Sequence, residues 1–224
     1  MTHEPDTVAT DLANLPPGDY ERAVVSTSDG TYQPFRLFVP TAITERARRP
    51  LLAVLHGKGV DHHAWFELTR IKAAAERHGY VVVAPLGRGK AYYNEAGEQD
   101  VLDIIAAVSA ALPIDRERVF LAGHSMGGWG TWYISLRHPE LFRTVCPMAA
   151  PVPTDLLPNA EGLDPLIIHD RDDPVVPVAK SRAAAAELAR LGISHRYCEV
   201  TGHGHSSSLI DAHLEAMFAW FGAH

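Results

Sequence analysis

Arg118-Val119-Phe120-Leu121-Ala122 runs straight into Gly123-His124-Ser125-Met126-Gly127, and Trp129, Trp132, Tyr133 and Leu136 then recur on one helical face. The reading is strand, sharp turn, helix. A Gly-x-Ser-x-Gly pentapeptide alone is weak, because Gly and Ser are common. Set between a strand and a helix it becomes strong. The turn forces Ser125 into a strained backbone conformation that presents its hydroxyl. Residues 123 and 127 must be small, since strand and helix pack closely there. The helix that follows directs its unpaired N–H groups at whatever reacts with the serine.

Working outward, the same alternation continues. Leu51–Leu55 and Val81–Ala84 are unbroken apolar runs, as in strands buried on both faces. Ala64, Leu68, Ile71 and Ala75 predict one helix between them, closed by Gly79. Val101, Ile104, Ile105, Val108 and Leu112 form a helical stripe that ends at Pro113. Downstream, Phe142–Ala149, Leu166–His169 and His195–Val200 read as strands. Helices are marked by Ala184, Leu188 and Leu191 before Gly192, and by Ile210, Leu214, Met217, Phe218 and Phe221. Upstream, Glu21–Thr27 and Tyr32–Pro40 flank Ser28-Asp29-Gly30, a hairpin signal. The expected fold is α/β: a mostly parallel twisted sheet with helices on both faces and an N-terminal antiparallel hairpin. Chemistry in such sheets sits beyond the carboxyl ends of the strands.

Composition agrees with one globular domain. The chain has 224 residues, 46% apolar and 21% charged, with 20 Lys+Arg against 27 Asp+Glu and a net charge of −7. That sign gives no electrostatic reason to hold nucleic acid or an anionic membrane. No run approaches the length of a membrane helix, and residues 1–19 read as a polar arm without the apolar core of a signal peptide. A cytoplasmic location is expected, a mature secreted form being the alternative. Cys146 and Cys198 read as buried free thiols on two strands.

A serine hydroxyl needs a base, and the base an orienting acid. The order of strands puts the acid after Leu166–Ile168 and the base after the last strand. In His169-Asp170-Arg171-Asp172-Asp173-Pro174-Val175-Val176-Pro177, Asp173 is favoured and Asp172 is its rival. Asp170 stands too near the strand to reach. In Thr201-Gly202-His203-Gly204-His205-Ser206, His205 is favoured over His203. The losing aspartates read as a solvated acidic loop, and His203 as a rim residue or a backbone hydrogen-bond partner. Ser206 and Ser207 can cap the closing helix. Oxyanion donors are expected from the amides of Met126 and Lys58, the latter in His56-Gly57-Lys58-Gly59, with Gly59 as fallback.

These motifs together resemble the small α/β-hydrolases of the esterase, dienelactone-hydrolase and prolyl-oligopeptidase-like group. The resemblance runs from about Tyr20 to the C-terminus and is supported by Asp115-Arg116-Glu117-Arg118-Val119 ahead of the nucleophile strand. It implies a catalytic domain over 20–224 and carboxylic-ester hydrolysis by a serine esterase without a cofactor. One departure stands out: Asp170 replaces the Gly of the group's frequent H-G-x-x-D, which keeps the choice of acid open.

The gap Pro151–Asp164 is too short for a separate lid, so an open site is expected, suited to a small-molecule or extended ester. Gly87–Asp100 with Tyr92 and Tyr93 is the expected pocket wall, with Gly59, Trp65, Trp129 and His203 as further candidates and an aromatic acyl group such as a hydroxycinnamate as one option. The rivals are another serine acyl hydrolase (thioesterase, lysophospholipase-like enzyme or peptidase), a metal hydrolase using Asp61-His62-His63 and His203-x-His205, and a binding module without chemistry. The histidine spacing matches no recognised zinc motif, so no metal is expected. Oligomeric state is not legible.

Overall fold

The computed structural model describes residues 11–13, 15–43, 47–89 and 92–224. Most of the expected arm (1–10 and 14) and residues 90 and 91 of the expected pocket wall lie outside that range.

β1 (Gly18–Val25) and β2 (Tyr32–Val39) form the antiparallel hairpin, in register from Gly18 opposite Val39 to Val25 opposite Tyr32. The turn is wider than an Asp-Gly pair alone would make. Ser26 and Thr31 close it (N–H to O, 2.8 Å), and Gly30 takes a φ of 75° inside it. β2 then pairs antiparallel with β4 (Val81–Pro85). The remaining strands are parallel: β3 (Arg49–Leu55), β5 (Ile114–His124), β6 (Val145–Met148), β7 (Leu166–Asp170) and β8 (Arg196–Val200). The eight strands lie in the order β1-β2-β4-β3-β5-β6-β7-β8. Alternation of side chains divides the core. Leu51, Ala53 and Leu55 join one apolar cluster, and Leu52 and Val54 the other.

Helices α3 (Ala96–Ala111), α4 (Met126–Arg137) and α5 (Ala179–Arg190) cover the first cluster; α1 (Ala64–Leu68), α2 (Ile71–His78) and α6 (Ser207–Gly222) cover the second. The single helix expected over 64–75 is therefore two. Thr69 is extended between them, and its hydroxyl donates to the carbonyl of Trp65 (2.6 Å) while accepting the N–H of Ile71 (3.2 Å). A threonine that satisfies the backbone locally removes the need for a continuous helix. The apolar spacing persists across the break, so periodicity alone could not reveal it. Gly79 does close α2, at φ 72°.

Cys146 is buried on β6, but Cys198 is only half-buried, because β8 is an edge strand. Residues 154–160 form a 3-10 turn whose Leu157 and Ala160 are buried in the α4 side of the core. Asn159 ties this turn to α4 by donating to the carbonyl of Leu136 (2.9 Å). The segment packs down as a strut and not over Ser125. Among the described residues no helix is long and apolar enough to cross a membrane.

Candidate active site

Ser125 sits between β5 and α4 with φ 58° and ψ −118°, a conformation that L-residues seldom adopt. Its N–H is held by the carbonyl of Met148 (2.9 Å). The close approach demanded of residues 123 and 127 is visible in what a Cβ there would strike. At Gly127 it would fall on the carbonyl of Leu55, and at Gly123 it would stand 2.7 Å from Thr131 Oγ1. The β3–α1 loop passes alongside, since a Cβ on Gly57 would be 3.6 Å from that of Ser125.

The loops after β7 and β8 bring two more groups to the serine. His205 Nε2 is 2.8 Å from Ser125 Oγ, and His205 Nδ1 is 2.7 Å from Asp173 Oδ2. With the Nδ1 proton donated to the carboxylate, Nε2 is left to accept the serine O–H. Asp173 Oδ1 accepts the N–H groups of Val175 and Val176, both at 2.8 Å. Its carboxylate has no exposed surface. Burial raises its pKa, but the hydrogen bond from His205 and the two amides outweigh burial and hold it below the usual carboxylate range. His169, fully buried on β7, lies 3.3 Å from Asp173 Oδ2 and donates to the carbonyl of Val176 (2.9 Å). The 173–176 turn is thus fastened from both sides.

The rivals are placed elsewhere. Asp172 is exposed. Asp170 corrects the reading of a solvated loop: it is wholly buried and accepts the N–H groups of Asp172 (2.8 Å) and His203 (2.6 Å). It pins the 201–204 turn from which His205 projects, a role that the Gly of H-G-x-x-D could not fill. His203 engages Asp170 through its backbone and Ser208 through its ring (3.3 Å), and lines no cleft at Ser125. Ser206 occupies the N-cap of α6 without capping it, because its hydroxyl donates to the carbonyl of His203 (2.9 Å).

Two lobes open at Ser125. The first, about 210 Å³, runs between α1 and the start of α6, past Lys58, Trp65, Leu68, His124 and Ile210. The second, about 650 Å³, is bounded by Tyr92, Trp129, Pro151, Val175 and Val176. Lys58 and His205 border both. The amides of Lys58 and Met126 donate to no protein group among the described residues. Trp65 lines the first lobe with its indole N–H given to the carbonyl of Leu55 (2.9 Å). Tyr92 packs edge-on to Trp129 (6.1 Å), which stacks on Tyr133 (4.8 Å).

Two pocket candidates are corrected. Gly59 lines neither lobe; it is the exposed turn of its loop, at φ 91°. Tyr93 is completely buried, and its hydroxyl accepts the N–H of His56 at 2.9 Å. Tyr92 and Tyr93 both have positive φ, 61° and 55°, and this kink sends one ring out and the other in. Tyr93 thereby clamps the β3–α1 loop, while His56 bridges to the carbonyl of Leu86 (2.8 Å). Tyr93→Phe would strand the buried N–H of His56, at a cost of about 1–3 kcal/mol. Chemical denaturation should show that loss, together with a fall in kcat/KM as the loop loosens. His124, a lining residue, was missed although it lies inside the pentapeptide, because the reading of that motif stops at its Gly and Ser positions.

Among the described residues, one trio of candidate metal ligands is close enough to share an ion: Glu21, His62 and His63. It joins neither His203 nor His205. Arg36 donates into His63 Nδ1 (2.8 Å), which leaves the ring proton on Nε2, where a metal would need a lone pair.

The model of the family described as Esterase PHB depolymerase matches residues 34–193. A Probable feruloyl esterase C of Aspergillus flavus is 29% identical over 161 residues, 70% of this chain and 57% of that one. The S-formylglutathione hydrolase of Rattus norvegicus is 26% identical over 143 residues, 51% of this chain and 50% of its own length. The chain thus spans about half the length of these curated relatives. Among solved structures, the Staphylococcus aureus serine hydrolase FphF superposes with a TM-score of 0.80 at 19% identity, covering 92% of this chain and 98% of that one. A thermostable esterase gives 0.78 at 24% identity, covering 92% and 62%. The fold is that of the α/β-hydrolases, and by the match over residues 34–193 the chain belongs to the Esterase PHB depolymerase family.

Proposed function

We propose that the protein is a serine carboxylesterase working through an acyl-enzyme. The observation that carries this reading is the unbroken hydrogen-bond chain from Asp173 through His205 to a strained Ser125, at distances of 2.7 and 2.8 Å. His205 Nε2 takes the serine proton as Oγ attacks the ester carbonyl. The free amides of Met126 and Lys58 hold the oxyanion, each such donor lowering the barrier by about 3–4 kcal/mol. Protonated His205 gives its proton to the leaving alcohol, and water then repeats the sequence on the acyl-serine. Asp173, desolvated and held ionised, keeps Nδ1 protonated and supports the imidazolium.

Asp173→Asn is expected to lower kcat by about 10⁴-fold, since an amide presents a donor where Nδ1–H needs an acceptor. Asp172→Asn, at an exposed side chain, should change it by less than about twofold. Steady-state kinetics on a nitrophenyl ester compares the two, and equal losses would remove Asp173 from its assigned role.

The second lobe is walled by the exposed ring of Tyr92 and the half-buried indole of Trp129, set edge to face, and these aromatic surfaces support an aryl or hydroxycinnamoyl ester as substrate. Likeness to S-formylglutathione hydrolases supports thioesters as the second reading. Fluorophosphonate labelling with peptide mapping, followed by a panel of acetyl, butyryl and feruloyl esters and thioesters, tests both. Absence of label on Ser125 would overturn the mechanism, and equal turnover across acyl groups would overturn the aromatic preference.

A further inference from the structure

Twelve of the chain's thirteen histidines fall among the described residues. Eleven of them have a ring nitrogen within hydrogen-bond distance of a protein group. His124 has none. It is 8% exposed, its Nε2 is buried without a partner, and its Nδ1 faces the Gly57 side of the first lobe. A buried polar group left unpaired costs free energy that an interior rarely concedes without a reason. Its ring packs against that of His205, with centroids 4.7 Å apart. Burial, and then the neighbouring His205, push its pKa down to about 4, so at neutral pH it offers one N–H and no charge.

The rest of the lobe is biased in one direction. Lys58 borders this lobe and the second alike, paired with no carboxylate among the described residues, its ammonium 5.6 Å from the ring centroid of Tyr92 on the side the two lobes share. The uncapped first turn of the 16-residue helix α6 opens at Ser206 and Ser207, with no acidic residue in it. Among the described residues no Asp or Glu lines the lobe, in a chain of net charge −7. Residues carrying an ammonium, an imidazole N–H and a helix N-terminus, all donors, thus border one lobe, and what suits all three is a group that only accepts. Between them, Ala64, Trp65, Leu68 and Ile210 provide an apolar wall fit for a short methylene chain.

We propose that this lobe binds a carboxylate carried by the ester, with His124 as its buried anchor. The preferred substrates are then short esters bearing a free carboxylate, either on the acyl side, as in a dicarboxylic hemiester, or on the alcohol side, as in the ester of a hydroxy acid. The assignment rests on the esterase reading above and names the substrate class of the same site.

Two matched pairs test it in a pH-stat: monoethyl glutarate against ethyl pentanoate, and butyryl glycolate against ethyl butyrate. The wild type should favour the carboxylate member of one pair by about tenfold or more in kcat/KM, chiefly through KM, and that pair identifies the side of the ester that enters the lobe. His124→Phe should cut the ratio about tenfold, His124→Asn should restore part of it, and Lys58→Met should cut it about threefold and weaken its dependence on salt. Because both members of a pair share Ser125 and His205, the ratio does not register general damage to the site. Free glutarate should also raise the melting temperature of the wild type, and less so that of His124→Phe, a readout that needs no turnover. Neutral esters preferred in both pairs, or a ratio and a glutarate shift that His124→Phe leaves unmoved, would overturn the proposal. If Ser125 takes no fluorophosphonate and none of the four esters is hydrolysed, the esterase reading itself fails, and glutarate binding still decides the carboxylate site.

Discussion

Ser125→Ala is expected to reduce kcat/KM toward a nitrophenyl ester by about 10⁴–10⁶-fold and to abolish fluorophosphonate labelling, with the unfolding transition shifted by less than about 1 kcal/mol. The expected activity loss is large because, among the described residues, no other hydroxyl is hydrogen-bonded to the proposed base. His205 Nε2 has Ser125 Oγ as its partner at 2.8 Å, and the neighbouring Ser206 and Ser208 hydroxyls are engaged with His203. A residual rate well above that of water is still expected, since the proposed oxyanion donors, the amides of Met126 and Lys58, remain in the variant. The stability change is small because alanine has the same Cβ, so the strain at φ 58° is common to both. Active-site titration of the parent and the variant, beside their denaturation curves, separates the two effects. Turnover preserved in the variant would remove the serine mechanism.

Most of what carries this argument could be read from residues near one another in sequence. Val119–Ala122 announces a buried strand because four consecutive apolar positions cannot all be hidden unless both faces are covered. The pentapeptide after it announces a turn because only small residues tolerate the crossing of strand and helix. The two distal loops were legible as places, since a parallel sheet delivers the ends of all its parallel strands to one edge. Which aspartate and which histidine project from those loops was a narrower matter, decided by reach. Asp170 is still within the β7 ladder, opposite Val200, whereas Asp173 lies beyond a turn that its own carboxylate closes on Val175 and Val176.

What sequence could not disclose depended on backbone sign and on long-range partners. Tyr92 and Tyr93 have the same side chain, and only two successive positive φ values separate the exposed ring from the buried one. Thr69 divides α1 from α2 through hydroxyl bonds that leave the apolar spacing intact. The burial of Asp170 follows from the amide of His203, thirty-three residues away. His124 illustrates the same point. Its isolation is a property of everything around it, and no local pattern marks a side chain as lacking a partner.

Gly127→Ala should be among the most damaging single-methyl changes at the described glycines. An ideal Cβ at 127 would overlap the carbonyl group of Leu55 and lie 2.8 Å from the carbonyl oxygen of His56. These are backbone atoms of β3 and of the loop that follows it, fixed by ladder pairing to β5 and by the Tyr93 clamp, so they cannot yield as a flexible side chain would. Either α4 retreats from the sheet or the β3–α1 loop is driven outward. Overpacking of this kind costs about 3 kcal/mol, which for a chain of this size lowers the melting temperature by about 6–12 °C. Both escapes also displace an amide proposed to hold the oxyanion: Met126 moves with the helix, or Lys58 moves with the loop. Loss of one such donor alone is about 10²–10³-fold in kcat. The expected variant is therefore folded but less stable, with kcat down by at least that factor and KM changed far less. Differential scanning calorimetry and single-turnover kinetics would measure the two losses. A variant with unaltered melting temperature and kcat would mean that β3 and α4 do not meet at Gly127, and the close crossing that presents Ser125 would have to be abandoned.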